Sequence, residues 1–427
     1  MKFSLNRKAI KTLAIFVSMV TIVMLFPCVS TATQENTKDK ILTIGVCSDT
    51  FFDDDATYDY AVKEFKKKYP DWSIQIWNGA KTEAFQKTGT FPCDSVDLVL
   101  LSQDYRGYGT QVDMQRWFAS GMLADLSIYP EIGQLSKDMY CVDAFCTWKK
   151  RLLGLPYRIN STTISVNNEV YDSLRKIGTD VNFDVEARYS WENILQLGES
   201  IDLDVNGDKK QDIYLLSDVN DFGPTILYQI HYLAMKNGIE NLDYDTPQIR
   251  ELLKVWKSLV QKGYVNTTPD PKGKTISLLT FTLPFYLRDT EDSFNLFGPI
   301  INEEAIVPAG GTIICLSDAS QKKDAALDFL QELLAKDAQD QYNLMGVVRK
   351  DAASTPCYEG FFAPDEKDRQ QYFDLLDSAV FVTGDKSTWR LCADIFDSYI
   401  SGSQEIDAAI MNLQSIMSEY KISLQKN

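Results

Sequence analysis

"DLVLLSQDYRGYGTQVDMQRWFASGMLADLSIY", residues 97–129, joins a short apolar run, a polar loop and an amphipathic stretch. The run VDLVLL (96–101) is too short for a helix and too uniformly apolar for a surface strand, which marks a buried strand. QVDMQRWFASGMLADLSIY (111–129) has helical spacing and then a turn. Strand, loop and helix in that order form the building unit of a parallel α/β sheet. The flanks repeat it. ILTIGVC (41–47) reads as a buried strand, TYDYAVKEFKKKYP (57–70) as a helix stopping before Pro70, and WSIQIW (72–77) alternates as a strand.

Further on, RLLGLPYRINSTTISVNNEVYDSL (151–174) is extended, with alternating apolar residues, and leads into a helix. SWENILQLGESI (190–201) opens on a Ser cap with Glu192 in its first turn. Helices are expected over 224–237, 247–262 and the apolar 276–287. GTIICLS (311–317) reads as a strand, SQKKDAALDFLQELLAKDAQDQYNLMG (320–346) as one long amphipathic helix, and 366–423 as helical. A strand–helix unit thus returns late, after a helix-rich middle. That is the order of a chain that leaves one domain for a second and comes back. A length of 427 residues also favours two domains.

The first residues carry Lys2, Arg7, Lys8 and Lys11 and no acid, then an apolar run Leu13–Phe26 and the small residues VSTA. This is the pattern of a signal peptide over 1–32, followed by a polar, disordered linker over 33–40. An uncleaved anchor is the alternative, and lipidation of Cys28 a third. In each case the protein is expected to be exported, and extracellular or attached to the cell surface. Removing residues 1–32 takes four positive charges from a chain whose net charge is −17. So acidic a chain is a poor partner for nucleic acid or anionic lipid. Cys47 and Cys315 sit in apolar runs as small buried hydrophobes, and Cys141–Cys146 is the favoured disulfide. No Cys or His spacing suggests zinc.

His231 is the sole histidine, which removes Ser-His-Asp and Cys-His catalysis unless it serves alone. It belongs to a core or to a pocket wall. HExxH, G-x-S-x-G and P-loop motifs are absent, and GYG (107–109) lacks the third glycine of a dinucleotide site. A secreted carboxylate-pair glycoside hydrolase, whose carboxylates have no fixed spacing, is the enzyme alternative.

The stretch 97–129, GLPYRINSTTISVNNEVYDSL, YSWENILQLGESI and CLSDASQKKDAALDFLQELLAKDAQDQYNLMGVVRKDAAS resemble, in order and spacing, the extracellular solute-binding proteins of family 1. These are the receptor components of ABC importers. The likeness covers about 41 to 420. It implies a two-lobed, periplasmic-binding-protein-like (type II) α/β fold with hinge crossings. The N-terminal lobe would be 41–156 plus 308–348, the C-terminal lobe 157–307 plus 349–427. It implies no catalysis, a small-molecule ligand, an ABC permease in the membrane as partner, and a monomer. Ligands of open α/β sheets bind beyond the carboxyl ends of strands, and interlobe clefts are common pockets. Strand-end loops offer Asp49, Thr50 and Phe51, then Trp77 and Asn78, then Gln103, Asp104, Tyr105 and Arg106. The resemblance places Asp104 on the ligand, Tyr157, Arg158 and Asn160 at the hinge, and Phe285 and Tyr286 on an aromatic platform. Gly310 and Gly311 stand where the family carries a glycine-rich loop. Aromatic faces with planar Asp, Asn and Arg partners suit a saccharide.

DLDVNGDKKQD (202–212) is dense in oxygen donors. Counting from Asp202 gives an EF-hand-like pattern with Ile213 in the twelfth place, where a Glu belongs. Counting from Asp204 gives Asp204, Asn206, Asp208, the Lys210 carbonyl and Asp212, a short calcium loop with Lys209 at the usual glycine. The expected role is a structural calcium brace away from the ligand; the alternative is an acidic surface turn.

Overall fold

The structure, a computed structural model, describes residues 40–47, 55–103, 112–161, 163–179, 181–183, 188–209, 211–268, 276–282, 293–301, 304–342, 348–352, 373–382 and 384–425. Contacts divide the chain into Met1–Ile41 with Asp71–Ser73, and Leu42–Pro70 with Ile74–Asn427. In the first unit Lys40 Nζ lies 3.9 Å from Asp71 Oδ2. The second holds two six-stranded sheets and their helices.

The strands are β1 (Ile41–Val46), β2 (Ser73–Asn78), β3 (Leu98–Gln103), β4 (Thr147–Trp148), β5 (Arg151–Leu152), β6 (Leu155–Ser161) and β7 (Thr163–Asn167). They continue as β8 (Arg188–Ser190), β9 (Tyr214–Leu216), β10 (Ser277–Thr282), β11 (Ser293–Ile301), β12 (Glu304–Ala305), β13 (Val307–Leu316) and β14 (Ala379–Val380). The first sheet has the order β14-β13-β3-β1-β2, with β6 also on β13. β1 and β3 are parallel, with Ile44 opposite Leu98. β13 runs antiparallel to both β3 and β6. All ten residues of β13 are buried, which is why it reads as a continuous apolar run. Asp97 fastens the sheet: its carboxylate accepts from Thr43 N (2.9 Å) and Ser320 Oγ (2.7 Å).

The second sheet has the order β12-β11-β7-β10-β9, with β8 on β11. β6 therefore belongs to one sheet and β7, one residue later, to the other. β11, β12 and β13 make the return journey. After β14 the chain crosses again: helices Lys386–Ile400 and Ile406–Gln425 bury Cys392, Phe396, Leu413 and Met417 in the second sheet's core.

Several expectations are corrected. The 276–287 stretch is not a helix where described: SLLTFT forms β10, antiparallel to β7 and parallel to β9. Short β-branched and aromatic runs flanked by strands pair rather than coil. The long helix after β13 is two, Lys323–Leu333 and Lys336–Tyr342. Ser320, the first residue of that stretch, lies outside the helix, its Oγ donating to Asp97 and accepting from Lys322 N (3.1 Å). β14 interrupts the helical tail. Cys141 and Cys146 are free thiols at the two ends of the one-turn helix Val142–Phe145. The Cys141 thiol donates to the Leu376 carbonyl, whereas Cys146 is wholly buried. Cys47 and Cys315 are buried as expected. Ser190 caps helix Trp191–Ser200 in a reciprocal box with Asn193.

Candidate functional site

The first sheet places Trp77 and Asn78 at the end of β2 and Gln103 at the end of β3. Trp77 meets Phe91 edge-on at 5.0 Å between centroids. Asn78 Oδ1 caps the turn Gly79–Lys81 by accepting from Ala80 N (2.9 Å). Gln103 is buried and donates to the Val382 carbonyl, which ties β3 to the residues after β14. Asn160 lies on β6 opposite Gly310. Asp49, Thr50, Phe51, Asp104, Tyr105, Arg106, Phe285 and Tyr286 lie outside the described residues.

Tyr157 and Arg158, expected on the ligand, face inward. Tyr157 is enclosed, its hydroxyl donating to Asp55 Oδ2, and Arg158 Nη2 donates to the same oxygen at 2.7 Å. Burial and the Asp55 charge push the Tyr157 phenol upward. Asp55 also caps helix Ala56–Lys68, accepting from Thr57 N and Tyr58 N. One carboxylate thus joins the hinge strand β6 to the helix after the first strand-end loop. The sequence reading missed Asp55, although a helix-capping Asp at the end of "FFDDDAT" was its signal. Gly311 is fixed by space: a Cβ there would meet the Arg158 carbonyl oxygen, Phe145 Cε1 at 3.0 Å and Ile159 Cα at 3.3 Å.

A pocket among the described residues lies in the second lobe. Its 480 Å³ separates helix Val219–Met235 from helix Lys386–Ile400, with Trp256 of helix Pro247–Gln261 as part of its wall. Trp389 lines it, its ring stacked on Tyr228 at 5.7 Å and meeting His231 edge-on at 4.6 Å. Leu227 and Phe396 supply apolar surface, while Lys386, Arg390, Asn220 and Asp397 supply polar groups. None of these was singled out from the sequence. Their one signal was the pairing of Trp389 with Arg390 just after the capping Asp385, in a segment read only as a helical tail.

The pocket is tied to the hinge strands. The Tyr228 hydroxyl lies 2.8 Å from the Ala309 carbonyl and accepts from Val382 N at 2.6 Å. Gln229 donates to the Ile306 carbonyl (2.9 Å) and accepts from Trp191 Nε1 (2.8 Å). A second link joins helix Met114–Ala119 of the first lobe to the C-terminal helices. Buried Asp113 caps that helix, accepts from the Tyr420 hydroxyl (2.7 Å) and pairs with Arg116 Nε (3.2 Å). Arg116 reaches on to Asp385 (3.5 Å), the cap of the helix that carries Trp389.

The acidic loop lies apart from this pocket in sequence. Asp204 accepts from the N–H groups of Gly207 (2.7 Å), Asp208 (3.2 Å) and Lys209 (2.7 Å), and Asp212 from those of Val205 and Asn206. The little burial Asp204 has raises its pKa, but the backbone donors outweigh it and hold the carboxyl below its usual range. Lys209 has φ 67°, the left-handed turn expected of the loop's sixth position. The all-oxygen donor set is of the type calcium takes. Among the described residues no three His, Cys, Asp or Glu side chains gather to hold a metal, and Asp204 and Asp212 are engaged with N–H groups of the loop. Lys210 lies outside those residues.

The family profile described as a bacterial extracellular solute-binding protein matches residues 60–356. None of the curated proteins compared matches the sequence. Among solved structures, a sugar transporter from Rhizobium etli in an open conformation has a TM-score of 0.65 and 14% identity, over 88% of this chain and 99% of that one. The cyclic alpha-maltosyl-1,6-maltose binding protein from Arthrobacter globiformis has 0.64 and 16%, over 89% and 99%. The sugar-binding protein MalE from Xanthomonas citri has 0.64 and 15%, over 91% and 100%. At such identities the likeness is one of fold, two lobes of mixed α/β structure.

Proposed function

The chain belongs to the bacterial extracellular solute-binding proteins, and on that premise we propose that it captures a saccharide and delivers it, as a monomer, to an ABC permease. The lobes close over the ligand through the β6–β7 and β11–β13 crossings. The observation that carries this reading is the pocket beside Trp389. It offers aromatic and aliphatic wall to the C–H faces of a sugar ring and a rim of Asn, Asp, Lys and Arg to its hydroxyls. The relatives in fold named for maltosyl and other sugars support the same class of ligand. A signal peptide at the N-terminus, with lipidation of Cys28 as the anchored variant, completes the proposal. No observation favours the glycoside hydrolase alternative.

A thermal-shift screen over mono- and oligosaccharides, peptides and polyamines tests it. A ligand that binds only the folded state raises Tm, so a shift with at least one saccharide is expected. A shift confined to peptides or polyamines overturns the saccharide reading.

A further inference from the structure

The pocket between helices Val219–Met235 and Lys386–Ile400 has a charged rim, and we infer that its ligand is an acidic saccharide, one bearing an ionised carboxylate such as a uronic acid. The inference rests on the saccharide reading above and adds the charge. Lys386 and Arg390 stand exposed one turn apart on the rim. Some other cations of this acidic chain take carboxylate partners, as in Lys67–Glu64, Lys262–Glu199 and Arg250–Asp245. Among the described residues neither Lys386 nor Arg390 forms an ion pair. The neighbouring carboxylate, Asp385, is engaged with Thr388 N (2.9 Å), Thr388 Oγ1 (3.1 Å) and Arg116. Both cations also lie at the start of a fifteen-residue helix, where its dipole adds positive potential.

One further feature borders the same space. Gly223 is a helix-interior glycine, destabilising relative to alanine. A Cβ there would stand 3.9 Å from Trp256 Cζ2 and 4.0 Å from Phe396 Cε1, at ordinary contact distance. Alanine would therefore fit, and its absence keeps the pocket open. Asp397 lies seven residues beyond Arg390, about 10 Å along the helix. It can accept from hydroxyls at the end of the ligand away from the cations.

The test is calorimetric titration of D-glucuronate, D-galacturonate and their disaccharides against D-glucose, D-galactose, cellobiose and maltose. At least one uronate binds tenfold or more tightly than its neutral counterpart, and the preference shrinks as salt rises. The double variant Lys386→Gln, Arg390→Gln loses that preference without a change in the Tm of the free protein, because both side chains are exposed. Gly223→Leu blocks binding and keeps the circular dichroism spectrum of a folded chain. Neutral sugars binding as tightly as uronates, or a preference that survives in the double variant, overturns the inference and leaves the saccharide reading standing. Binding of neither class overturns that reading itself.

Discussion

His231 is the sole histidine in 427 residues, so one imidazole signal reports on it without overlap. It is 1% exposed, its Nδ1 hydrogen-bonded with the Tyr244 hydroxyl and its ring edge-on to Trp389. Burial drives its pKa from 6.5 down to about 3. The folded imidazole is therefore neutral across the range in which an unfolded histidine, with a pKa of about 6.5, takes up a proton. Between those two values the unfolded chain binds more protons than the folded one. The stability this group contributes is fully present above 6.5 and is lost as pH falls toward 3. Well inside that window one pH unit costs about 1.4 kcal/mol, and because the unfolded imidazole is already half protonated at 6.5, lowering the pH from 6.5 to 4.5 removes roughly 2.3 kcal/mol. Carboxylates add a pH dependence of their own, which the variant His231→Gln cancels by subtraction. Urea unfolding of both proteins at pH 7.5 and 4.5 is expected to show wild type losing roughly 2.7 kcal/mol more than the variant. The Cε1 proton shift should stay level between pH 8 and 4.5. An imidazole titrating near 6.5, or a stability difference that does not change with pH, would refute the reasoning.

Asp113→Ala deprives Tyr420, Arg116 and the N-terminus of helix Met114–Ala119 of one acceptor. It is expected to cost about 3 kcal/mol in urea unfolding, while Asp113→Asn, which keeps the cap and an acceptor, costs about 1. Equal losses from the two would show that the charge alone matters. Gly311→Ala places a Cβ against the Arg158 carbonyl and Ile159 Cα, backbone atoms that cannot swing away. A loss of about 3 kcal/mol is expected, and a melting temperature within a degree of wild type would contradict the packing of β13 on β6. Calcium binding at the acidic loop is a proposal resting on its donor chemistry. It requires a rise in Tm with millimolar calcium that Asp204→Asn abolishes, and equal melting in calcium and chelator would leave the loop to its own hydrogen bonds.

The parts of the fold legible in the sequence are those where local and tertiary demands agree. β1, β3 and β13 are buried and apolar throughout their cores, and Ser190 caps a helix by contacts within four residues. SLLTFT was misread because an apolar run looks alike as a buried helix or a buried strand. What settles it is β7 and β9, remote in sequence. The pocket was hidden for a related reason. Leu227, Trp256 and Phe396 are helix residues whose spacing is the same whether the face meets core or cavity, and only their convergence shows the difference. Tyr157 shows the same limit: its side chain turns inward to Asp55, a partner 102 residues away in sequence.

That inward turn bears on how binding and closure are connected. Pocket-lining Leu227 is followed at once by Tyr228 and Gln229, which bond to the Ala309, Val382 and Ile306 backbone. On the other side of β13, Gly311 sits against the Arg158 backbone, and Arg158 and Tyr157 hold the cap of the first-lobe helix. The crossing strand is therefore gripped from the pocket side by Tyr228 and from the first lobe by the Asp55 cluster. In the binding mode proposed above, a shift of helix Val219–Met235 would reach Ala309 of β13 through Tyr228 and Ile306, just before β13, through Gln229, so Tyr228→Phe should loosen that coupling while leaving Trp389 its stacking ring.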